Sequence, residues 1–315
     1  MTQKIRKLLC LILTSVIVLS ISTTSLAVET EKDARKPAYT VSCAEYPNAY
    51  ITIEKSDEAS NGLRKGLDSS DAEKSLGTVS ATVFVEESYQ LIDGEVIVTN
   101  SRLLSKEEVD AIGVENFESL ETQKPGTSMF SSITPNAAIN TRGKLTIICS
   151  GVYSISGNSV TCDLTGNAQW SGFDFFYSPT NNPAAGSDFI GYAWAGGFQC
   201  DADANASWYN GGSQDIYLCE SSPNAARVWE FEEVLDLGDA IFYVDNVMAY
   251  ATLSKANMDG GGNKAEAVLK YIHTYQVVTG TISINASSGG VGTGFSLTNT
   301  PKQWSLVVTI SDIPY

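Results

Sequence analysis

Two long runs of alternating apolar and polar side chains occupy the C-terminal end of the chain, on either side of a glycine-rich segment. Together they extend over residues 265–310. Because successive strand side chains point to opposite faces, this alternation predicts a long antiparallel β-hairpin. Folding the chain about Ser288 and Gly289 would bring His273 opposite Trp304. The hairpin is the strongest fold signal in the sequence.

Short apolar runs separated by turn residues recur from Lys144 onward. Five of them have strand-like composition: residues 145–155, 159–170, 188–198, 201–208 and 240–253. Many strands with regular turn signals are typical of β-sandwiches. We therefore predict a mainly β protein, with an antiparallel β-sandwich-like domain over residues 144–315. Residues 223–235 fit a helix or a strand equally well, since apolar residues there recur at both spacings.

The sequence pattern of residues 28–122 predicts a small acidic α+β region. The Asp93-Gly94 pair between two strand-like runs indicates a hairpin turn. Ser105 followed by Glu108 forms a capping-box pattern, which predicts a helix from there to Ile112 that ends at Gly113. Residues 123–143 are rich in Pro, Gly, Ser and Thr, and we expect them to be a linker between two units. The sequence leaves open whether residues 28–122 are a propeptide.

The first 27 residues have the pattern of a secretory signal peptide. Three basic residues precede an apolar stretch, and Ser25-Leu26-Ala27 provides small residues at the cleavage position. No later apolar run is long enough to span a bilayer as a helix. The sequence therefore predicts a secreted, extracellular protein.

The chain is strongly acidic, with a formal net charge of −16. Such a charge disfavours nucleic acid and anionic membranes as partners. A glycan or another cell-surface ligand is the partner that we expect, and no motif indicates a cofactor.

Five cysteines follow the predicted signal peptide. Since export permits disulfides, four of them in the β-rich part are candidates for two bridges with open connectivity: Cys149, Cys162, Cys200 and Cys219. Cys43 would remain unpaired.

His273 is the only histidine, so a nucleophilic triad or a Cys-His pair would need it. No nucleophile motif accompanies it, and we interpret it as an ordinary strand histidine without catalytic or metal-binding residues around it. Asp201 and Asp203 begin like a calcium-binding loop, but Ala206 stands where such a loop needs glycine. A solvated polar strand face explains them better.

Several tryptophans could stack on a sugar, and core packing would place them equally well. The candidate ligand-binding residues are Trp208, Trp229, Asp201 and Asp203.

Three functions remain open on the sequence alone. The first is a non-catalytic binding or adhesion module in the medium or at the cell surface. The second is a membrane-damaging protein, because the Ser/Thr-rich C-terminal hairpin resembles the insertion hairpins of β-pore-forming toxins. Membrane contact is expected only in that case. The third is an extracellular hydrolase that uses two carboxylates.

Overall fold

The computed structural model describes residues 39–57, 74–92, 95–117, 138–173, 186–208, 212–236, 241–256, 263–275, 280–285, 293–298 and 302–315. Residues 33–315 belong to one compact unit. The predicted signal peptide, residues 1–27, lies outside the described residues.

The described residues are mainly β-strands. In chain order these are β1 (Tyr39–Ser42), β2 (Ile51–Ser56), β3 (Lys74–Ile92), β4 (Glu95–Leu103), β5 (Ala138–Ser156), β6 (Ser159–Ser171), β7 (Ser187–Trp194), β8 (Gln199–Trp208), β9 (Ser213–Asp215), β10 (Tyr217–Ser222), β11 (Ala226–Glu232), β12 (Val234–Asp236), β13 (Ile241–Ala256), β14 (Lys264–Thr274), β15 (Thr281–Asn285), β16 (Gly294–Thr298) and β17 (Gln303–Pro314). One α-helix, α1 (Lys106–Ile112), and a 3₁₀ helix (Val114–Phe117) follow β4.

Two large antiparallel sheets contain most of these strands. The six-stranded sheet has the order β1-β17-β14-β7-β11-β10. The nine-stranded sheet has the order β2-β3-β5-β6-β13-β8-β9, with β4 beside β3 and β12 beside β13. Apolar side chains of both sheets form one buried cluster, for example Leu269 and Leu306 with Ile147 and Leu164. The prediction of a mainly β, antiparallel, sandwich-like fold is confirmed.

The C-terminal hairpin has the predicted register at its base. Strands β14 and β17 pair antiparallel, and His273 lies opposite Trp304. Its outer part, β15 and β16, forms a separate two-stranded sheet. The inner side chains Phe295 and Leu297 pack with Phe189 and Val228 of the six-stranded sheet. This small cluster lies apart from the main core.

The two predicted units are not separate in the sheets. β3 pairs with β5 along most of its length, and β1 pairs with β17. Residues on both sides of the expected linker, 123–143, therefore share both sheets. Residues 138–143 belong to β5 itself, because their alternation continues that of the strand. Residues 123–137 lie outside the described part.

The capping-box prediction of the first region is confirmed, whereas Asp93 and Gly94 of the predicted hairpin turn lie outside the described residues. Strands β3 and β4 pair as a hairpin up to Ile92 opposite Glu95. Helix α1 has Ser105 as its N-cap, with a reciprocal capping box to Glu108 and Gly113 at its C-cap. Each capping contact satisfies backbone groups that a helix end leaves unpaired. The ambiguous residues 223–235 contain strands β11 and β12 rather than a helix.

The disulfide prediction is wrong. The five cysteines in the described part are all free thiols: Cys43, Cys149, Cys162, Cys200 and Cys219. Cys149 lies opposite Gly166 on β6, and Gly166 is four residues from Cys162. The Cα atoms of Cys149 and Cys162 are therefore at least about 13 Å apart. Cys162 and Cys200 flank Leu253 on opposite sides, about 9.6 Å apart. A disulfide needs Cα atoms within about 7 Å.

Among the described residues, no helix combines the length and the apolar character that crossing a bilayer requires.

Candidate functional site

The only imidazole of the chain is buried between the two sheets. His273 lies on β14 with 2% of its side chain exposed. The rings of Trp170 and Trp304 surround it, with centroids 5.3 and 5.0 Å from that of the imidazole. Tyr275 stacks at 6.1 Å. Aromatic rings and neighbouring carboxylates therefore take the place of water around His273.

Three carboxylates face this imidazole. Nδ1 of His273 lies 3.1 Å from Asp188 Oδ2 and 3.1 Å from Glu233 Oε1. Nε2 lies 3.1 Å from Glu87 Oε1. The carboxylates of Asp188 and Glu87 are buried, and that of Glu233 is 18% exposed. We call His273, Asp188, Glu233 and Glu87 the buried acidic cluster.

The backbone brings these four residues together from distant parts of the chain. Asp188 is the second residue of β7, the direct neighbour of β14 in the six-stranded sheet. Glu233 lies between β11 and β12, where the chain leaves the six-stranded sheet for the nine-stranded one. Glu87 comes from β3 of the nine-stranded sheet. The cluster therefore joins both sheets.

Asp188 is held in place by two donors besides His273. The amide of Thr274 donates to Oδ1 at 2.8 Å, and the Tyr271 hydroxyl donates to Oδ2. The Trp170 indole donates to the Tyr271 oxygen at 2.8 Å. Such hydrogen bonds are what a buried carboxylate requires.

Strand alternation separates Glu87 from its neighbour Glu86. Glu86 accepts ion-pair hydrogen bonds from Arg102 and Arg142, at 2.9 Å each. Glu87 points to the other face, where it contacts His273 and accepts from the Tyr89 hydroxyl. Glu86 is therefore paired with two arginines, whereas its neighbour Glu87 contacts an imidazole.

The cluster shifts the protonation of its members. Burial raises the pKa of Glu233 to about 8, and the charge of Asp188 adds to that effect. Burial alone lowers the pKa of His273, but the charges of Asp188 and Glu233 raise it well above its usual value. Both groups therefore hold protons more tightly than they do in water. The cluster therefore stabilises positive charge among its carboxylates.

The arrangement also matches the donor types of a metal site. Asp188, Glu233 and His273 each place one ligand atom within 4.8 Å of the others. Nε2 of His273 is buried and forms no hydrogen bond in its present orientation, although Glu87 is near.

The sequence predicts an ordinary strand histidine at His273, and the structure instead places three carboxylates around it. Asp188 lies in β7, where all the residues after it are buried, and Glu87 lies within a buried segment of β3. An acidic residue in an apolar strand is a local sign of a buried charged site, but it does not identify the distant residues that complete the site.

The predicted ligand-binding residues lie elsewhere. Trp229 is 3% exposed and belongs to the main core, so its indole is not offered to a ligand. Trp208 ends β8, and its side chain lies outside the described part. Asp201 and Asp203 are exposed on the outer face of β8.

That outer face continues across three strands of the nine-stranded sheet. Asp201 lies beside Thr252, which lies beside Asp163, and the Thr252 hydroxyl donates to Asp163 at 2.6 Å. The next row contains Asp203, Tyr250 and Thr165. We call these six residues the polar face.

Comparison with known proteins adds little. No protein-family model and no curated protein matches the chain. Among solved structures, the chain is similar to the C-terminal domain of the Streptococcus pyogenes antigen I/II-family protein AspA, with 8% identity and a TM-score of 0.18. The match covers 71% of this chain and 95% of that domain. A likeness at this level carries no functional conclusion.

Proposed function

We propose that the chain is a secreted, non-catalytic β-sandwich protein that binds glycans through the polar face. The observation that carries this proposal is the pair of side-chain rows across β6, β13 and β8. They combine carboxylates, hydroxyls and a half-buried tyrosine ring on one antiparallel sheet surface.

The chemistry of the polar face suits sugar hydroxyl groups. A carboxylate such as Asp201 accepts hydrogen bonds only, whereas the threonine hydroxyls both donate and accept. Asp201 and Asp203 lie about 7 Å apart along their strand, so their carboxylates can accept from different hydroxyls of one sugar unit. Tyr250 supplies an apolar ring with a polar edge beside them. A regular strand surface also holds these groups without ordering a loop.

A hydrolase could draw its two carboxylates from Glu220, Glu230, Glu232 and Glu233, and the fold directs the last two to different environments. Glu232 is exposed, whereas the adjacent Glu233 turns toward His273. Two carboxylates flanking a glycosidic bond would have to face the same substrate. This division favours binding over catalysis.

The membrane-damaging alternative depends on the C-terminal hairpin. Its base strands β14 and β17 are inner strands of the six-stranded sheet. Insertion into a bilayer would remove them from β7 and β1, along with the buried side chains they carry.

A glycan array with the mature protein, followed by calorimetric titration of the sugars that bind, tests the proposal. We expect Asp201→Ala and Asp203→Ala to weaken binding about tenfold or more, since hydrogen bonds to charged groups contribute about 1.5–3 kcal/mol. Glu54→Ala changes an exposed acid on β2 of the same sheet and is the matched control. Wild-type protein without affinity for any glycan, or equal affinity for all three variants, would refute the proposal.

A further inference from the structure

We propose that His273 Nδ1, Asp188 and Glu233 form a site for a divalent transition metal of the zinc class. Glu87 would orient the imidazole from its other side. The site lies inside the sandwich and does not depend on glycan binding.

The distances suit a small ion. Zinc binds imidazole nitrogen and carboxylate oxygen at about 2.0–2.2 Å, which places tetrahedral ligand atoms about 3.3 Å from each other. Both carboxylate oxygens already lie 3.1 Å from Nδ1. The ligand atoms require only small side-chain adjustments to surround one ion, since all lie within 4.8 Å of one another.

The charge balance of the cluster calls for a cation. Three carboxylates face one imidazole in a buried position, and in the described part of the chain no lysine or arginine pairs with Asp188, Glu233 or Glu87. Uncompensated buried charge is costly. A divalent ion that displaces the protons held by His273 and Glu233 would offset two of the three carboxylate charges.

The surroundings resemble those of metal-bound histidines. In such sites the ring nitrogen that does not bind the metal usually donates to a carboxylate, which fixes the tautomer. Nε2 of His273 faces Glu87 Oε1 at 3.1 Å and has no other partner among the described residues. A small rotation of the ring would complete that hydrogen bond. Asp188 is already oriented by the Thr274 amide and the Tyr271 hydroxyl.

The ligand types select the class of ion. Calcium and magnesium prefer oxygen ligands, whereas an imidazole beside carboxylates suits zinc and similar transition metals. Bound there, the ion would connect β7 and β14 of the six-stranded sheet with the segment that leads into β12. Three protein ligands would leave the fourth position of the ion to water, and the connection between these segments assigns the ion a stabilising role.

The first test uses the wild-type mature protein. After treatment with a chelator and dialysis, we expect elemental analysis to find one zinc per chain once zinc chloride is added. Zinc should also raise the Tm, because an ion that binds only the folded state stabilises it by mass action. Calcium chloride should not. The proposal is overturned if zinc is not bound at micromolar concentration or leaves the Tm unchanged.

Free thiols could also bind zinc, and the spectrum of bound cobalt distinguishes a cysteine site from the proposed site. Cobalt in the proposed site should give visible bands of nitrogen and oxygen ligation without the near-ultraviolet thiolate band. A dominant thiolate band would place the metal at cysteines and overturn the proposal. This measurement needs no variant, so it is informative even if a variant does not fold.

Substitution identifies the ligands. Glu233→Gln keeps the shape of the partly exposed ligand and should weaken zinc binding at least 100-fold. Glu87→Gln should weaken it about 10- to 100-fold, as changes in partners of metal-bound histidines do. The control is Glu232→Gln, the exposed neighbour in sequence. Equal zinc affinity of Glu233→Gln and Glu232→Gln would refute the assignment.

Discussion

The imidazole of His273 and the indole of Trp304 lie directly opposite each other on β14 and β17, with ring centroids 5.0 Å apart. The Trp304 indole also donates to the Ser101 hydroxyl of β4 at 3.0 Å. Trp304 therefore closes one side of the buried acidic cluster and connects the two sheets.

Removal of this indole should destabilise the protein strongly. Trp304 is fully buried, and we expect Trp304→Ala to lower the free energy of unfolding by about 3–5 kcal/mol, as truncation of a core aromatic does. Urea denaturation followed by circular dichroism measures the loss. Tyr217→Ala, at a residue that is 70% exposed, is the aromatic control and should change stability by less than about 0.5 kcal/mol. Similar losses for both variants would contradict this packing.

Stability of the metal-free protein should decrease as the pH rises from 5 to 8. Glu233 has a pKa of about 8 in the folded protein against an ordinary value of 4.5. The folded state therefore binds more protons than the unfolded state in this range, and stability falls by about 1.4 kcal/mol per pH unit for one such proton. His273, whose pKa is also raised, acts in the same direction above its ordinary value.

The comparison with Glu233→Gln isolates that effect. This variant has no carboxyl group at position 233 to titrate, so its stability relative to wild type should rise between pH 5 and pH 8. Denaturation curves at several pH values, with a chelator present, measure the difference. Parallel stability profiles for the wild type and the variant would show that Glu233 does not titrate as described.

The buried cysteines should resist modification in the native state. Burial raises the pKa of Cys149 to about 12, and that of Cys162 is raised by burial as well. Since the thiolate is the reactive form, iodoacetamide should label neither residue at pH 8 until the protein is unfolded. Peptide mapping by mass spectrometry follows the labelling. Disulfide-linked peptides in a non-reduced digest, or a lower Tm after addition of dithiothreitol, would contradict free thiols.

The outer part of the C-terminal hairpin, β15 and β16, should be released by loss of Phe295. Phe295 packs against the outer side of the six-stranded sheet, and Gly191 provides the space, because an added Cβ there would lie 2.9 Å from the Phe295 ring. We expect Phe295→Ala to increase hydrogen exchange in β15 and β16 by roughly 100-fold, since a buried phenylalanine contributes about 3 kcal/mol or more. Ser296→Ala is the control.

The same variants test the membrane-damaging alternative. If β15 and β16 serve only the fold, the protein should cause no dye release from liposomes at micromolar concentration, with or without Phe295→Ala. Leakage by the wild type that increases in this variant would favour that alternative over glycan binding.

Local signals in the sequence predicted local structure. The register of His273 opposite Trp304 follows from regular alternation on both sides of the turn, and α1 follows from Ser105 and Glu108. The mixing of residues on both sides of the expected linker did not follow, because no local pattern encodes which distant strand β3 will pair with.

The buried acidic cluster was unpredictable for the same reason. Asp188, Glu233 and Glu87 are separated from His273 by 40 to 186 residues in sequence, and only the sheet order brings them within 3.1 Å of its ring. The free thiols of Cys149 and Cys162 likewise depend on the register of β5 and β6. Compartment alone suggested bridges that this register prevents.

The pairing of β1 with β17, Tyr39 opposite Ile310, has a consequence for biogenesis. The first described strand obtains its neighbour from the last, so the six-stranded sheet stays incomplete until β17 has been synthesised. Contacts between such distant residues make folding slow.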